Sequence, residues 1–276
     1  MAQIVGGLLL PHDPLISSEP QMAPPEKRDA VMSGFAAAAE RLRQWQVDTV
    51  VVIGDDHYTV YGPQCLPRCL IGIGEIEGPV EPWLGIARGS VPNNEELASH
   101  IMHYGFEHGV DWAVAKTMLL DHSTMVPIEL AVRPAGDLKV VPIYLNCAVE
   151  PLISSRRAYQ IGRIVGDAIR SFEGSGRVAV IGTGGLSHWV GMARMGEVNE
   201  SWDREVMDLV LAGDVEALMA MPDEEIIQTA GNGALEIKNW LCAMGAMGQA
   251  KAEVIGYTPV PEWICGCGFL ELAVAA

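Results

Sequence analysis

Four short apolar runs, rich in β-branched residues, each close on a histidine. His12 follows Ile4–Leu10, His57 follows Val50–Ile53, His122 follows Trp112–Leu120 and His188 follows Val178–Ile181. Runs of this length bounded by turn residues read as buried strands, and helical segments between them make the chain α/β. In an open α/β sheet, ligands bind in the crevice outside the carboxyl ends of the strands. Four imidazoles at strand ends therefore point to one shared site. Imidazole is both a common metal ligand and an acid/base near neutral pH. Taken singly, each histidine is equally explained as a polar strand-end residue that bonds a loop.

The segments between these runs fill in the architecture. Val31, Phe35, Ala38, Leu42 and Trp45 recur at helical spacing in a predicted helix from Glu26 to Gln46, which leads directly into the strand at 49–53. Strand, helix, strand is a βαβ unit, with a right-handed crossover if the strands are parallel. Further strands are expected at 68–74, 112–116, 139–145, 177–181 and 269–274. Pro142 marks the strand at 139–145 as an edge or a bulge, because proline donates nothing to a ladder. Helices are expected from Asn93 or Asn94 to Tyr104, and over 154–172, 200–212, 215–221 and 234–247. The polar segment 11–25, so close to His12, reads as a flap. The Pro-rich stretches 78–92 and 257–268 read as loops. Several connections lack a helix, which admits antiparallel strands. The expectation is a single three-layer α/β/α domain spanning residues 1–276 around a central, mixed sheet.

Composition narrows the function. With 35 acidic against 18 basic side chains and a net charge of −17, the chain is a poor partner for nucleic acid or an anionic membrane, both of which demand Lys and Arg. An apolar fraction of 49% with 19% charged residues fits a packed globule rather than a disordered chain. The opening apolar stretch has no basic residue before it and ends at Pro11. It reads as a first strand, not a signal peptide, and the chain as cytoplasmic. The six cysteines are spaced unlike structural zinc sites and read as reduced thiols.

His12 and His57 end the two strands of the βαβ unit and so can lie side by side. A carboxylate would complete a two-histidine, one-carboxylate set, which leaves open positions and suits non-haem Fe(II) that activates dioxygen. Glu236, in GNGALEIKNW, is a candidate for that carboxylate. It is also explained as a glutamate complementing a helix N-terminus. Asp56 and Asp121 lie close before His57 and His122 and read as groups supporting them or a turn. GTGGLSH lacks both the G-x-G-x-x-G spacing and the P-loop lysine, so its glycines read as a turn that brings His188 inward. Glu96, His100 and His103 share a helix face in polar surroundings and read as a solvated surface.

Five motifs taken together carry a resemblance: PHDP around His12, GDDHYT around His57, LLDHSTMVP around His122, GTGGLSHW around His188 and ALEIKNW around Glu236. In this order, from residue 4 to about 270, the chain resembles the class III extradiol ring-cleavage dioxygenases. That family includes the protocatechuate 4,5-dioxygenase beta subunits and the 2,3-dihydroxyphenylpropionate 1,2-dioxygenases. The resemblance implies Fe(II) held by His12, His57 and Glu236, with His122 and His188 as unligated acid/base residues. It also implies a catechol-type aromatic and O2 as substrates, and a homo-oligomer or a separate small subunit as partner. Tyr58 and Trp189 join Asp56 and Asp121 as expected pocket or supporting residues. Ser123, Trp189 and Val190 depart from the family pattern and leave the particular catechol open. Two rivals are a divalent-metal hydrolase on the same scaffold, using zinc-bound water, and a non-catalytic binding member, which would be expected to have lost ligands.

Overall fold

The computed structural model describes residues 1–274. Its strands are β1 (Gln3–Leu10), β2 (Thr49–Gly54), β3 (Cys69–Gly78), β4 (Gly89–Val91), β5 (Ala113–Leu119), β6 (Lys139–Leu145), β7 (Arg177–Thr183), β8 (Ala250–Val260) and β9 (Cys265–Val274). They form one nine-stranded sheet in the order β4-β3-β6-β2-β7-β1-β9-β8, with β5 paired to β3. β6, β2, β7 and β1 are parallel, whereas β3 and β9 are antiparallel to their neighbours β6 and β1. The sheet is therefore mixed.

Strand periodicity divides the core into two layers. Leu9, Val51, Ile53, Val141 and Val180 face the helices Glu95–Glu107, Ser155–Ser171 and Ile237–Met247. Their neighbours Leu8, Leu10, Val50, Val52, Val140 and Ile181 face the helix Pro25–Gln44 and the helical stretch that starts at His122. Successive strand residues point to opposite sides, so a strand with helices on both faces is apolar at every position. This is why the central runs carry no alternation. Asn94 and Ser154 cap their helices, accepting from the backbone N–H groups of Leu97 and Arg157. Among the described residues, no helix is long and apolar enough to cross a membrane.

Three expectations are corrected. The stretch 257–268 is not a loop but part of two paired strands. β8 and β9 form a long antiparallel hairpin around the turn Pro261–Trp263. Pro142 is not on an edge, because β6 lies between β2 and β3. The β3–β6 ladder runs only from Cys69↔Leu145 to Ile71↔Ile143, so the missing N–H falls where β3 has already left. The segment after Pro11 is not all loop: it contains the short helix Leu15–Ser18, with Ile16 buried.

Candidate active site

His12, His57 and His188 follow β1, β2 and β7, three adjacent or near-adjacent parallel strands, and so arrive together at their carboxyl ends. His122 comes by another route. β5 runs parallel to β3, which is antiparallel to β6, so β5 points the opposite way from the central strands. His122 instead opens the helix His122–Pro127, and its ring centroid lies 4.0 Å from that of His57 and 5.7 Å from that of His12. Glu236 closes the turn Gly233–Glu236 immediately before the helix Ile237–Met247 and is 1% exposed. Close approach of Glu236 to β7 requires Gly184. Its φ is +153°, and a Cβ there would stand 2.7 Å from the Cβ of Glu236. The backbone N–H of Gly185 then donates to Glu236 Oε2 at 2.8 Å.

Hydrogen bonding fixes the tautomer of two rings. Thr183 Oγ1 donates its only proton to the carbonyl of Ile53 at 3.1 Å, so toward His12 it can only accept, from Nδ1–H at 3.0 Å. The Nε2 of neutral His12 is thus a lone pair. It lies 3.1 Å from Glu236 Oε2, another acceptor, and is buried without a hydrogen-bond partner. His57 Nδ1–H donates to Asp121 Oδ2 at 3.0 Å, which turns Nε2 toward Glu236 Oε1 at 3.2 Å. Burial alone would raise the Asp121 pKa. The hydrogen bond from His57, the nearby His122 and His57 rings and Ser123 outweigh it and hold the carboxyl well below its ordinary value. Burial likewise opposes ionisation of Glu236, yet His12 and His188 keep its pKa well below normal. Around His57 the burial effect is overcome by Asp55, Asp121 and Glu236, which raise the imidazole pKa well above its ordinary value.

The site is thus built to hold positive charge. His12 Nε2, His57 Nε2 and the Glu236 carboxylate converge, so that neutral imidazoles would offer one ion three electron-pair donors, and Asp55 joins the same group of potential ligands. Buried acceptors facing one another are costly unless a cation lies between them. Anchoring the outer nitrogen of each histidine to another group is the usual support for a metal-binding imidazole. These residues fit a divalent metal.

The other two imidazoles are held differently. His122 Nδ1–H donates to Glu81 Oε1 at 2.6 Å, and the His122 backbone N–H points to the same oxygen at 3.2 Å. His188 Nδ1–H donates to the carbonyl of Leu186 at 3.0 Å, with Nε2 3.5 Å from Glu236 Oε1. Burial depresses the His188 pKa, but the Glu236 carboxylate more than compensates and brings it up to about 10. Both rings keep Nε2 for the cavity, whose volume is about 340 Å³ and whose wall includes all four histidines and Glu236.

Of the four supporting residues read from the sequence, only Asp121 reaches the cluster. Asp56 caps the next turn, accepting from the N–H groups of Val60 and Tyr61 at 2.8 and 3.0 Å. Tyr58 is 47% exposed with φ +64° and is not part of the cavity wall. Trp189 is buried beneath the Arg194 guanidinium, 4.1 Å from its ring centroid, and Val190 lines the cavity in its place. Asp55 and Glu81 were missed. Asp55 was legible in principle, because carrying the alternation of β2 past its end at Gly54 puts residues 55 and 57 on one side and 56 on the other. Glu81 carries no local signal inside the Pro-rich stretch that follows β3. His100 bonds Ser171 Oγ, and with Glu96 and His103 it belongs to no potential ligand group among the described residues.

Residues 6–268 match the family described as the catalytic LigB subunit of aromatic ring-opening dioxygenase. The chain is similar to the 2,3-dihydroxyphenylpropionate/2,3-dihydroxicinnamic acid 1,2-dioxygenase of Photorhabdus laumondii, at 26% identity covering 94% of each chain. It is similar to the enzyme of the same name from Escherichia coli, at 27% identity covering 95% of this chain and 96% of the relative. The fold is shared with the crystal structure of an uncharacterized Escherichia coli K12 protein, with a TM-score of 0.56 at 13% identity, covering 98% of this chain and 100% of that one. The chain belongs to the LigB family of aromatic ring-opening dioxygenases. It is an extradiol ring-cleaving enzyme of a metal-dependent family, acting on an aromatic substrate with O2.

Proposed function

We propose that the chain is one catalytic domain that binds Fe(II) through His12, His57 and Glu236 and opens the ring of a catechol. The observation that carries the metal assignment is the convergence on one buried carboxylate of His12 Nε2, its ring oriented by Thr183, at 3.1 Å from Glu236 Oε2 and of His57 Nε2 at 3.2 Å from Glu236 Oε1. Two imidazoles and one carboxylate are the donor set that suits Fe(II) in oxygen-activating enzymes. Fe(II), when bound, supplies the open positions at which a catechol and O2 meet and the path for electrons between them.

The protein's own groups handle protons and position. With the Glu236 charge that raises the His188 pKa offset by a bound metal, His188 Nε2 can take a proton from a catechol hydroxyl and return it later to an oxygen derived from O2. Its Nδ1–H stays on Leu186 throughout, so the ring does not turn. His122 Nε2, with Nδ1 held by Glu81, hydrogen-bonds an oxygen of the substrate or of O2. Apolar side chains line the rest of the cavity around these groups. The ring bond beside a hydroxyl-bearing carbon breaks and both atoms of O2 enter the product, a ring-opened semialdehyde-type acid.

The test is anaerobic reconstitution with Fe(II), followed by O2 uptake with a panel of catechols. The expected result is about one O2 per ring opened. Glu236→Ala should fail to retain iron. His188→Ala should retain it and lose turnover by about 100-fold or more. An iron-loaded protein that opens no catechol, or O2-independent hydrolysis by a fully zinc-loaded one, would overturn the reading.

A further inference from the structure

The cavity wall holds positive charge nowhere except at the histidine cluster. Away from that cluster it is formed by Pro14, Leu15, Trp83, Val190, Met195 and Ile264, and among the described residues no lysine or arginine belongs to it. Polar groups in the wall are already engaged. Thr59 Oγ1 lies 3.3 Å from Asp56 Oδ1, and the Leu15 N–H, the first amide of its short helix, donates to Asp13 Oδ1 at 2.8 Å. Asp13 is itself a carboxyl group in the wall.

Two cations close in sequence, or paired to residues close in sequence, to this wall carry carboxylates of their own. Arg194, beside Met195, bonds Glu197 through Nε at 2.9 Å and the Gln228 carbonyl through Nη1 at 3.2 Å, while its plane covers Trp189. Lys27 pairs with Glu262, two residues before Ile264, at 3.0 Å. Meanwhile Trp83, Val190 and Met195 remain 54%, 48% and 54% exposed, so large apolar side chains stand open where a ring substituent would emerge.

Given the catechol reading above, on which this step rests, we infer that the substrate's ring substituent is uncharged and apolar, an alkyl or aryl group. The structure assigns its recognition to Trp83, Val190 and Met195, and a substituent carboxylate is disfavoured because against these side chains it gives up part of its water while no lysine or arginine in the wall pairs it. Partial desolvation of an unpaired carboxylate is expected to cost about 100-fold in affinity. The named relatives act on a dihydroxyphenylpropionate, so on this inference the present chain differs from them in substrate.

Two catechols of nearly equal shape decide the matter: 3-propylcatechol and 3-(2,3-dihydroxyphenyl)propionate, with unsubstituted catechol as reference. On the Fe(II)-reconstituted full chain, kcat/KM for the propyl compound should exceed that for the propionate by on the order of 100-fold. It should also exceed that of catechol. The same order should appear in anaerobic Kd values, which need no turnover. Trp83→Ala should lower kcat/KM for 3-propylcatechol more than for catechol, a differential that misfolding does not produce. Met195→Arg, at an exposed site, should move the propyl-to-propionate ratio toward the propionate by about tenfold or more. Equal or better handling of the propionate, no gain over catechol, or a ratio unmoved by Met195→Arg would overturn the inference. Absence of ring opening with every compound would instead count against the catalytic reading, while the Kd series still decides the substituent.

Discussion

Glu81 does at residue scale what a sequence motif would not reveal. It lies on the stretch after β3, which is tied back to the end of β5 by the Val80 N–H on the Leu120 carbonyl at 2.8 Å. This brings one carboxylate oxygen to both the backbone and the ring of His122. A carboxylate that takes Nδ1–H leaves Nε2 of the neutral ring as the free nitrogen and fixes the ring plane. Glu81→Ala should therefore lower kcat by about 10- to 100-fold, the usual cost of losing an orienting partner. Iron content should stay unchanged and KM should move far less than kcat. Glu81→Gln, which can still accept from Nδ1–H, should recover much of the loss. Steady-state O2 uptake with parallel iron analysis checks both, and an equal defect in the Gln and Ala variants would mean that charge rather than position matters. The residue scale is also where sequence reading divides. His12, His57 and His188 were legible because strand ends are marked by apolar runs. Asp55 was legible in principle from strand alternation. Glu81 and Thr183 were not, because their roles exist only through contacts made 41 and 171 residues away.

At the scale of elements, the position of Glu236 depends on how closely two helices pack. The helix Ser155–Ser171 lies against Ile237–Met247 through glycines. A Cβ on Gly162 would stand 1.9 Å from the Cys242 carbonyl oxygen, and one on Gly166 2.2 Å from that of Ala246. Backbone atoms cannot yield as a flexible side chain would, so Gly162→Ala must push the helices apart. Overpacking of this kind costs about 1–3 kcal/mol, or roughly 5–10 °C in Tm at the upper end for a chain of this size. The displaced helix carries Glu236, so iron affinity should fall with it. A thermal melt of the apo protein and an iron titration read the two effects separately. An unchanged Tm would show that the helices do not approach this closely. Helices with caps and apolar stripes were legible to within a few residues, as at 95–107 and 155–171. β8 was not, because Tyr257, Pro259 and Gly256 resemble a loop. What makes them a strand is the ladder with β9, a pairing that local composition does not encode. The direction of β5 was hidden for the same reason: a run of apolar residues reports a strand but not which way it runs.

Across the whole molecule, buried charge is concentrated at one place. Among the described residues six carboxylates are buried, and five of them, Asp13, Asp55, Glu81, Asp121 and Glu236, lie in or beside the histidine cluster. The one buried lysine, Lys238, is spent on Asp223 at 2.8 Å. The fold therefore gathers negative charge from segments as far apart as residues 13, 121 and 236 without supplying a permanent side-chain cation among them. A bound divalent ion would fill that role and at the same time bridge β1, β2 and the last core helix. Because the assembled ligand set exists only in the folded chain, binding should stabilise it by mass action, by about 2.7 kcal/mol at a free metal concentration 100 times Kd. For a protein of this length that corresponds to roughly 5–10 °C in Tm. Anaerobic addition of Fe(II) should produce this rise and a chelator should reverse it. Glu236→Ala should abolish the rise, because a ligand is lost. His188→Ala should preserve it, because His188 lies outside the potential ligand group of His12, Asp55, His57 and Glu236. A rise that survives in Glu236→Ala and disappears in His188→Ala would reverse the proposed division between ligand and acid/base.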